Sequence, residues 1–156
     1  MSNKIVIKKK INHFKKKIFV PGDKSLSIRW VLIASLSNGV SRSENLLMSE
    51  DVMAAIKAIK KLGVKVFYNK KICKIYGVGI NGYKFKKGIV LNAQNSGTLG
   101  RLIPALLIDS PVQIKIIGDK SLSKRDFNRV ADPLNKFGAK IKLTKKGLPL
   151  TIEGNK

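Results

Sequence analysis

Residues 21–29 read PGDKSLSIR and lie where a predicted strand ends and a helix begins. The strand is predicted at 18–20, a Pro-Gly turn follows it, and apolar residues then recur at helical spacing. Ser25 is therefore expected near a helix N-terminus, where unpaired backbone N–H groups and the helix dipole attract an anion. Lys24 and Arg29 add positive charge at the same place. The stretch predicts a site for a phosphate or carboxylate, and the alternative is an ordinary serine cap among solvated charges.

The same hexapeptide returns later in the chain. Residues 118–123 repeat the GDKSLS of residues 22–27, and each copy has an arginine two positions further on, Arg29 and Arg125. A third predicted turn, NSGTLGR at 95–101, brings small polar residues and an arginine together in a similar order. Turns of this kind offer backbone N–H groups, hydroxyls and guanidinium groups. Their repetition favours one anionic ligand, or two bound side by side, over unrelated helix caps.

Two similar halves follow an N-terminal arm at 1–19. The first unit is placed at 20–88 and the second at 89–156, and each reads β-α-β-α-β-β. Their closing segments match at a constant offset of 75, for example at Gly63 and Gly138. The internal repeat predicts an α/β protein built from repeated units. The predicted elements are one or two strands within 4–19, strands at 18–20, 40–46, 64–69, 72–77, 89–93, 112–117, 139–144 and 148–153, and helices at 24–38, 50–62, 97–108 and about 125–137.

The charge of the chain is strongly positive, with a net value of +23. Lysine supplies 27 of the 32 cationic residues and is scattered along the chain, whereas arginine occurs only at five positions. Three of those five are the arginines of the predicted turns, Arg29, Arg101 and Arg125. The distribution favours a solvated lysine surface with a few dedicated anion-binding groups. A basic nucleic-acid-binding module remains the alternative from a different class.

Cysteine and histidine usage indicates neither disulfides nor a metal site. Cys73 is the single cysteine and lies in an alternating strand pattern, which predicts a buried thiol in a reducing compartment. His13 lies among lysines and is expected to be solvated. The sequence shows no run long enough to span a membrane and no apolar leader, so a cytoplasmic location is expected.

Five motifs stand in a fixed order along the chain: PGDKSLSIR at 21–29, LLMSEDV at 46–52, LGV at 62–64, NSGTLGR at 95–101 and GDKSLSKR at 118–125. Together they resemble the EPSP synthase (3-phosphoshikimate 1-carboxyvinyltransferase) family, from about residue 18 to the end of the chain. That family is built from six β-α-β-α-β-β units in two lobes, and the resemblance implies that two of the six are present here as an N-terminal portion. The arm at 1–19 would then belong partly to the other lobe.

The resemblance implies transfer of an enolpyruvyl group from phosphoenolpyruvate to the 5-hydroxyl of shikimate 3-phosphate, without a metal or organic cofactor. It implies these two small molecules and the remainder of the enzyme as partners, with no nucleic acid or membrane, and a monomer when complete. Carried over by position, the shikimate 3-phosphate residues would be Lys24, Ser25, Arg29 and Thr98. The phosphoenolpyruvate residues would be Lys24, Asn95, Gly97, Arg101 and Arg125.

Some positions depart from the family pattern. Gln94 stands where glycine is usual and Ile28 where a polar residue is common. Asp126 replaces the usual proline after Arg125, and its carboxylate is expected to pair with that arginine or to loosen the helix start. The carboxylates and lysine that the family uses for proton transfer have no counterpart in this portion. We therefore expect no catalytic residue here and little or no activity of the chain alone.

A related enzyme that transfers enolpyruvate to a UDP-amino sugar is a further alternative. It shares the fold but typically has asparagine after the first motif lysine and a reactive cysteine in a loop. Here Ser25 follows Lys24, and Cys73 lies in a predicted strand. Both observations favour the shikimate enzyme over this relative.

Overall fold

Two small sheets, one in each half of the chain, carry the fold in this computed structural model, which describes residues 6, 8–10 and 13–153. In chain order the elements are α1 (Lys24–Ser35), β1 (Asn38–Glu44), α2 (Glu50–Lys61), β2 (Lys65–Tyr68), β3 (Ile72–Val78), β4 (Ile89–Asn92), α3 (Gly97–Leu102), a 3-10 helix at Ile103–Leu106, β5 (Ile114–Ile117), a 3-10 helix at Leu122–Lys124, α4 (Asn128–Lys136), β6 (Ile141–Thr144) and β7 (Gly147–Ile152).

The two sheets repeat one strand order. The first runs β1-β3-β2 and is antiparallel throughout, and the second contains the matching order β5-β7-β6 with the same antiparallel pairing. The second sheet also has β4, which pairs with β5 in parallel. The predicted α/β fold with repeated units is confirmed. The parallel pair brings the C-terminal ends of β4 and β5 to the same edge of the sheet.

The strand predicted at 18–20 is wrong. Ile18, Phe19 and Val20 form no strand and are 66%, 83% and 70% exposed. An extended apolar segment becomes a strand only when another strand accepts its backbone hydrogen bonds, and this segment lies on no sheet edge here. The other described residues of the arm also lack strand structure, and the rest of the strand prediction within 4–19 falls on residues outside the described ones.

The predicted helix at 97–108 is split. It is α-helical only through Leu102 and continues as a 3-10 helix to Leu106. Pro104 causes the change, because it has no N–H to donate to the carbonyl four residues earlier. The side chains of Leu99, Ile103 and Leu107 are buried in the core.

Other helix ends differ from the sequence expectation by a few residues. Helix α1 ends at Ser35 rather than at 38. Just beyond this end, the Ser37 hydroxyl donates to the Ala34 carbonyl at 2.8 Å. Helix α4 begins at Asn128 rather than near 125, and Pro133 lies inside it.

The core is formed by apolar side chains from both halves. Helix α2 buries its apolar face in this core, and Gly63 after it has a left-handed φ of 88°. Cys73 is buried in β3, as predicted, and burial raises the pKa of its thiol. In the part of the chain that the structure describes, no helix has the length and apolar character needed to cross a membrane. The largest fully buried side chains are Phe127, Ile28, Leu32, Ile56, Ile59, Leu62, Ile75, Leu91, Leu99, Ile103, Ile114 and Ile116.

Candidate functional site

Aspartates, not serines, cap the two copies of the hexapeptide. The Leu26 backbone N–H donates to Asp23 Oδ1 at 2.7 Å, and the Leu122 N–H donates to Asp119 Oδ1 at 2.7 Å. Ser25 lies inside the first turn of α1 and does not cap it. The alternative of an ordinary serine cap is therefore wrong, and the Ser25 hydroxyl is not used by the helix end.

After their caps the two copies diverge. The first copy opens the twelve-residue helix α1, whereas the second opens only the 3-10 helix at Leu122–Lys124. Arg125 follows with an extended backbone, at φ −75° and ψ 150°. The helix predicted at 24–38 begins within the first copy, whereas the helix predicted from about 125 begins only at Asn128, after the second copy has ended. The early end of the second helix lets Arg125 leave the turn and reach the loop after β4.

Two guanidinium groups converge on Gly97. A Cβ atom built on Gly97 would lie 2.9 Å from Arg125 Nη1 and 3.2 Å from Arg101 Nη1. Arg125 Nη2 also donates to Asn95 Oδ1 at 3.2 Å. The structure thus brings together four of the five residues predicted to hold phosphoenolpyruvate, beside a stretch of backbone that carries no side chain.

Phe127 packs beneath the guanidinium group of Arg101. The Arg101 guanidinium carbon lies 5.7 Å from the centroid of the Phe127 ring, and that ring is fully buried. Gly100 makes room for the ring, because a Cβ there would lie 3.3 Å from Phe127 Cε1. Arg101 Nε is buried and has no hydrogen-bond partner among the described residues. The aromatic face holds the guanidinium plane by a cation–π contact and leaves its terminal nitrogens for a ligand.

Lys24 is paired rather than free. Its Nζ lies 3.0 Å from Asp51 Oδ2, with 53% and 21% of the two side chains exposed. Asp51 was not predicted as part of the site, although it lies in the acidic first turn of α2 within the motif at 46–52. An exposed pair of this kind contributes about 0–1 kcal/mol, so an incoming anion has little to displace.

The remaining predicted residues lie at the start of helices α1 and α3. Ser25 and Arg29 are four residues apart on α1 and therefore share one face. Thr98 is in the first turn of α3, next to Gly97, and α3 packs against α1. Among the described residues, the side chains of Ser25, Arg29 and Thr98 have no hydrogen-bond or ion-pair partner. Within the described residues, no hydrogen bond joins them to the arginines at Gly97.

Asp119 is a site residue that the sequence interpretation missed. Asn95 Nδ2 donates to Asp119 Oδ2 at 2.6 Å, while the other oxygen caps Leu122. The Leu122 backbone N–H, the Asn95 amide and the nearby Arg125 charge hold the pKa of Asp119 below its usual 3.8. The signal was present in the sequence, because Asp119 belongs to the repeated hexapeptide.

The titration of Asp119 tests this network. Since its folded pKa is lowered, the stabilisation it provides is fully present above its usual 3.8 and is lost as the pH falls through the lower folded value. We expect the carboxyl ¹³C signal of Asp119 to titrate below 3.8, and to move toward that value in Asn95→Ala, where the hydrogen bond from the Asn95 amide is lost. An identical midpoint in both proteins would show that Asn95 does not contact the carboxylate.

Two departures from the family pattern now have a structural account. Asp126 Oδ1 accepts the Asn128 N–H at 2.8 Å at the start of α4, and no ion pair with Arg125 forms within the described residues. The expected pairing of Asp126 with Arg125 is not found. Gln94 has a φ of 53°, a left-handed conformation that glycine adopts most easily.

The repeated units, with cationic groups gathered at their turns, place the chain in the class of enolpyruvate transferases. The chain belongs to the family described as EPSP synthase (3-phosphoshikimate 1-carboxyvinyltransferase), whose sequence profile matches residues 8–156. This assignment favours the shikimate enzyme over the relative that acts on a UDP-amino sugar.

Curated relatives carry the same name. The 3-phosphoshikimate 1-carboxyvinyltransferase of Ruthia magnifica subsp. Calyptogena magnifica is 45% identical over 135 residues, which cover 86% of this chain and 31% of the relative. The protein of that name from Streptococcus suis (strain 98HAH33) is 41% identical over 152 residues, 96% of this chain and 35% of the relative. The structure of EPSP synthase from Acinetobacter baumannii superposes with a TM-score of 0.84 at 35% identity, covering 91% of this chain and 32% of that chain. The chain therefore spans about a third of the length of the proteins it matches.

Proposed function

We propose that this chain supplies part of the substrate site of an EPSP synthase, in which the enolpyruvyl group of phosphoenolpyruvate is transferred to the 5-hydroxyl of shikimate 3-phosphate. The observation that carries the proposal is the convergence of Arg101 and Arg125 on the bare backbone of Gly97. Two guanidinium groups at a surface without a Cβ suit a small ligand with several negative charges. Phosphoenolpyruvate, with a phosphate and a carboxylate, is such a ligand.

The chemistry explains why cations are needed at this place. The 5-hydroxyl would lose its proton as its oxygen adds to the central carbon of phosphoenolpyruvate and a proton reaches the methylene carbon, which becomes a methyl group. Phosphate would then leave the central carbon as the methyl group loses a proton, which restores the carbon–carbon double bond. Negative charge builds on the departing phosphate. Arg101, Arg125 and Lys24 would stabilise that charge. We propose no proton-transfer group among the residues of this chain.

The face of α1 would hold the second substrate. Ser25 and Arg29 point from one face of this helix, their side chains are unpartnered within the described residues, and Thr98 lies on the neighbouring helix. Arg29 can bind a phosphate through two parallel hydrogen bonds. Lys24 would sit between the substrates once its exposed pair with Asp51 opens.

The remainder of the enzyme would cover the arm. The exposed apolar residues at 18–20 suit burial against another part of the protein, in keeping with the proposed assignment of 1–19 to the other lobe. We also propose that the units divide at 20–88 and 89–156, and that the complete enzyme is a cytoplasmic monomer without a cofactor, nucleic acid or membrane partner.

A chimera tests the proposed function. The chain would replace the aligned third of the Streptococcus suis relative, to which it is 41% identical, and phosphate release would be measured with both substrates. We expect turnover that requires both substrates in the chimera and none in the isolated chain. A folded chimera without turnover, or turnover by the isolated chain, would contradict the proposal.

Arg29→Ala in the same chimera tests the shikimate 3-phosphate side. Loss of a charge-assisted hydrogen bond of about 1.5–3 kcal/mol should raise the KM for shikimate 3-phosphate by roughly 10–150-fold, with little change for phosphoenolpyruvate. Arg42→Ala is the matched control, because the Arg42 side chain is exposed and its guanidinium is already paired with Glu44 at 2.8 Å, whereas that of Arg29 has no partner among the described residues. Equal effects of the two substitutions would remove Arg29 from the site.

A further inference from the structure

We propose that Asp119 is a positioning residue that orients the Arg125 guanidinium through the Asn95 side chain. The identity of the anion that Arg125 receives depends on the proposed function, but the orientation does not. Three side chains form the relay: Asp119 Oδ2 accepts from Asn95 Nδ2 at 2.6 Å, and Asn95 Oδ1 accepts from Arg125 Nη2 at 3.2 Å. The other terminal nitrogen of Arg125 faces Gly97.

Donor and acceptor chemistry gives the relay a single direction. An ionised carboxylate only accepts hydrogen bonds, so Asn95 can meet Asp119 only with its NH₂ group. The amide then presents its oxygen to Arg125, whose guanidinium only donates. Asp119 thereby selects the orientation of Asn95 in which Arg125 finds an acceptor.

Asp119 is itself held in place by both neighbouring segments. Its Oδ1 caps the Leu122 N–H at 2.7 Å, and its own backbone N–H donates to the Gln94 carbonyl at 2.8 Å. The carboxylate therefore links the loop that carries Asn95 to the turn that precedes Arg125. The equivalent Asp23 keeps the same cap, to Leu26, but within the described residues its carboxylate makes no second hydrogen bond.

The amide between the two charges leaves Arg125 available for a ligand. Within the described residues, Asp119 and Arg125 are not close enough to form an ion pair. A carboxylate in direct contact with the guanidinium would compete with an incoming phosphate for the same N–H groups. A neutral amide in between fixes one edge of the guanidinium and leaves its positive charge largely unneutralised.

Asp119→Asn is the decisive variant. The new amide must keep its oxygen on the Leu122 N–H, so its NH₂ faces the NH₂ of Asn95, and a turned Asn95 would present NH₂ to Arg125. Rotation of the Arg125 guanidinium, measured from its side-chain ¹⁵N signals in the full chain, should be restricted in the parent protein and about tenfold faster in this variant. Asp23→Asn is the matched control and should leave that rotation unchanged.

The double variant Asn95→Asp with Asp119→Asn tests rescue. The carboxylate now stands at 95 and accepts both from the amide at 119 and from Arg125, so every hydrogen bond of the relay returns at the same net charge. We expect rotation of Arg125 to slow again to the parent value. The affinity of the double variant for phosphoenolpyruvate, used as the probe, should be about tenfold below that of the parent protein, because the new carboxylate competes with this ligand.

Asn95→Ala gives an independent test if Asp119→Asn does not fold. It removes the relay without touching the cap on Leu122, and it should free Arg125 to the same extent. Unchanged rotation of Arg125 in a folded Asp119→Asn or Asn95→Ala variant would overturn the inference. Failure of the parent chain to bind phosphoenolpyruvate would count against the proposed function alone, because the rotation measurement needs no ligand.

Discussion

Phe127→Ala is expected to lower the free energy of unfolding by about 3–5 kcal/mol, as for other large aromatic truncations in cores. Phe127 is fully buried, and its backbone N–H donates to the Lys146 carbonyl at 2.8 Å, which ties the start of α4 to the turn before β7. Loss of the ring leaves a cavity beneath Gly100 and removes the surface under Arg101. Urea unfolding of the chain, followed by circular dichroism, measures the change.

The sequence provides a matched control for this substitution. Phe137 is also an aromatic residue at a boundary of α4, but it is 83% exposed. Phe137→Ala should change the free energy of unfolding by no more than about 0.5 kcal/mol. Similar losses in the two variants would contradict the placement of Phe127 in the core.

Gly97→Ala is expected to raise the KM for phosphoenolpyruvate at least about tenfold in the chimera, which corresponds to the loss of one charge-assisted hydrogen bond. The added Cβ would lie 2.9 Å from Arg125 Nη1 and 3.2 Å from Arg101 Nη1, so both guanidinium groups must withdraw. These groups are the ends of flexible side chains, and the fold can adjust to them. Gly97 is the first residue of α3, where alanine is a good helix former.

The pattern of effects distinguishes this change from general damage. The free energy of unfolding of the Gly97→Ala chain should equal that of the parent or be slightly higher. The KM of the variant chimera for shikimate 3-phosphate should be nearly unchanged. An unchanged KM for phosphoenolpyruvate would mean that its binding does not use the space between the two arginines. A loss of stability would mean that Gly97 serves the fold and not the site.

Local features of the fold were predictable because they depend on neighbouring residues. Glu50 and Asp51 in a first turn and Gly63 after a last turn are local helix signals, and the helix predicted at 50–62 is found at Glu50–Lys61. Alternation predicted β3 at 72–77, and the strand is Ile72–Val78. The segment at 18–20 has an equally apolar pattern but forms no strand, because pairing depends on what lies beside it in space.

The candidate site likewise contains residues that the sequence predicted and residues that it did not. Asn95 and Arg125 follow β4 and β5, and parallel pairing of these strands brings the two loops together, as a repeated unit allows one to expect. Asp119 and Asp51 were missed, since their roles depend on contacts between segments far apart in sequence. Residue type alone does not distinguish a capping aspartate from one that also contacts an asparagine in another loop.

The open edge of β1 and the lysine-rich composition have opposite effects on aggregation of the chain. In the described part of the chain β1 pairs only with β3, so its outer backbone groups form an open edge, whereas the corresponding edge of β5 is covered by β4. Open edges recruit strands from other molecules and lead to aggregation. A net charge of +23 makes copies of the chain repel one another at long range, and salt near 0.1 M shortens that repulsion to about 10 Å. Solubility of the isolated chain therefore depends on ionic strength, through charges that lie outside both the core and the anion site.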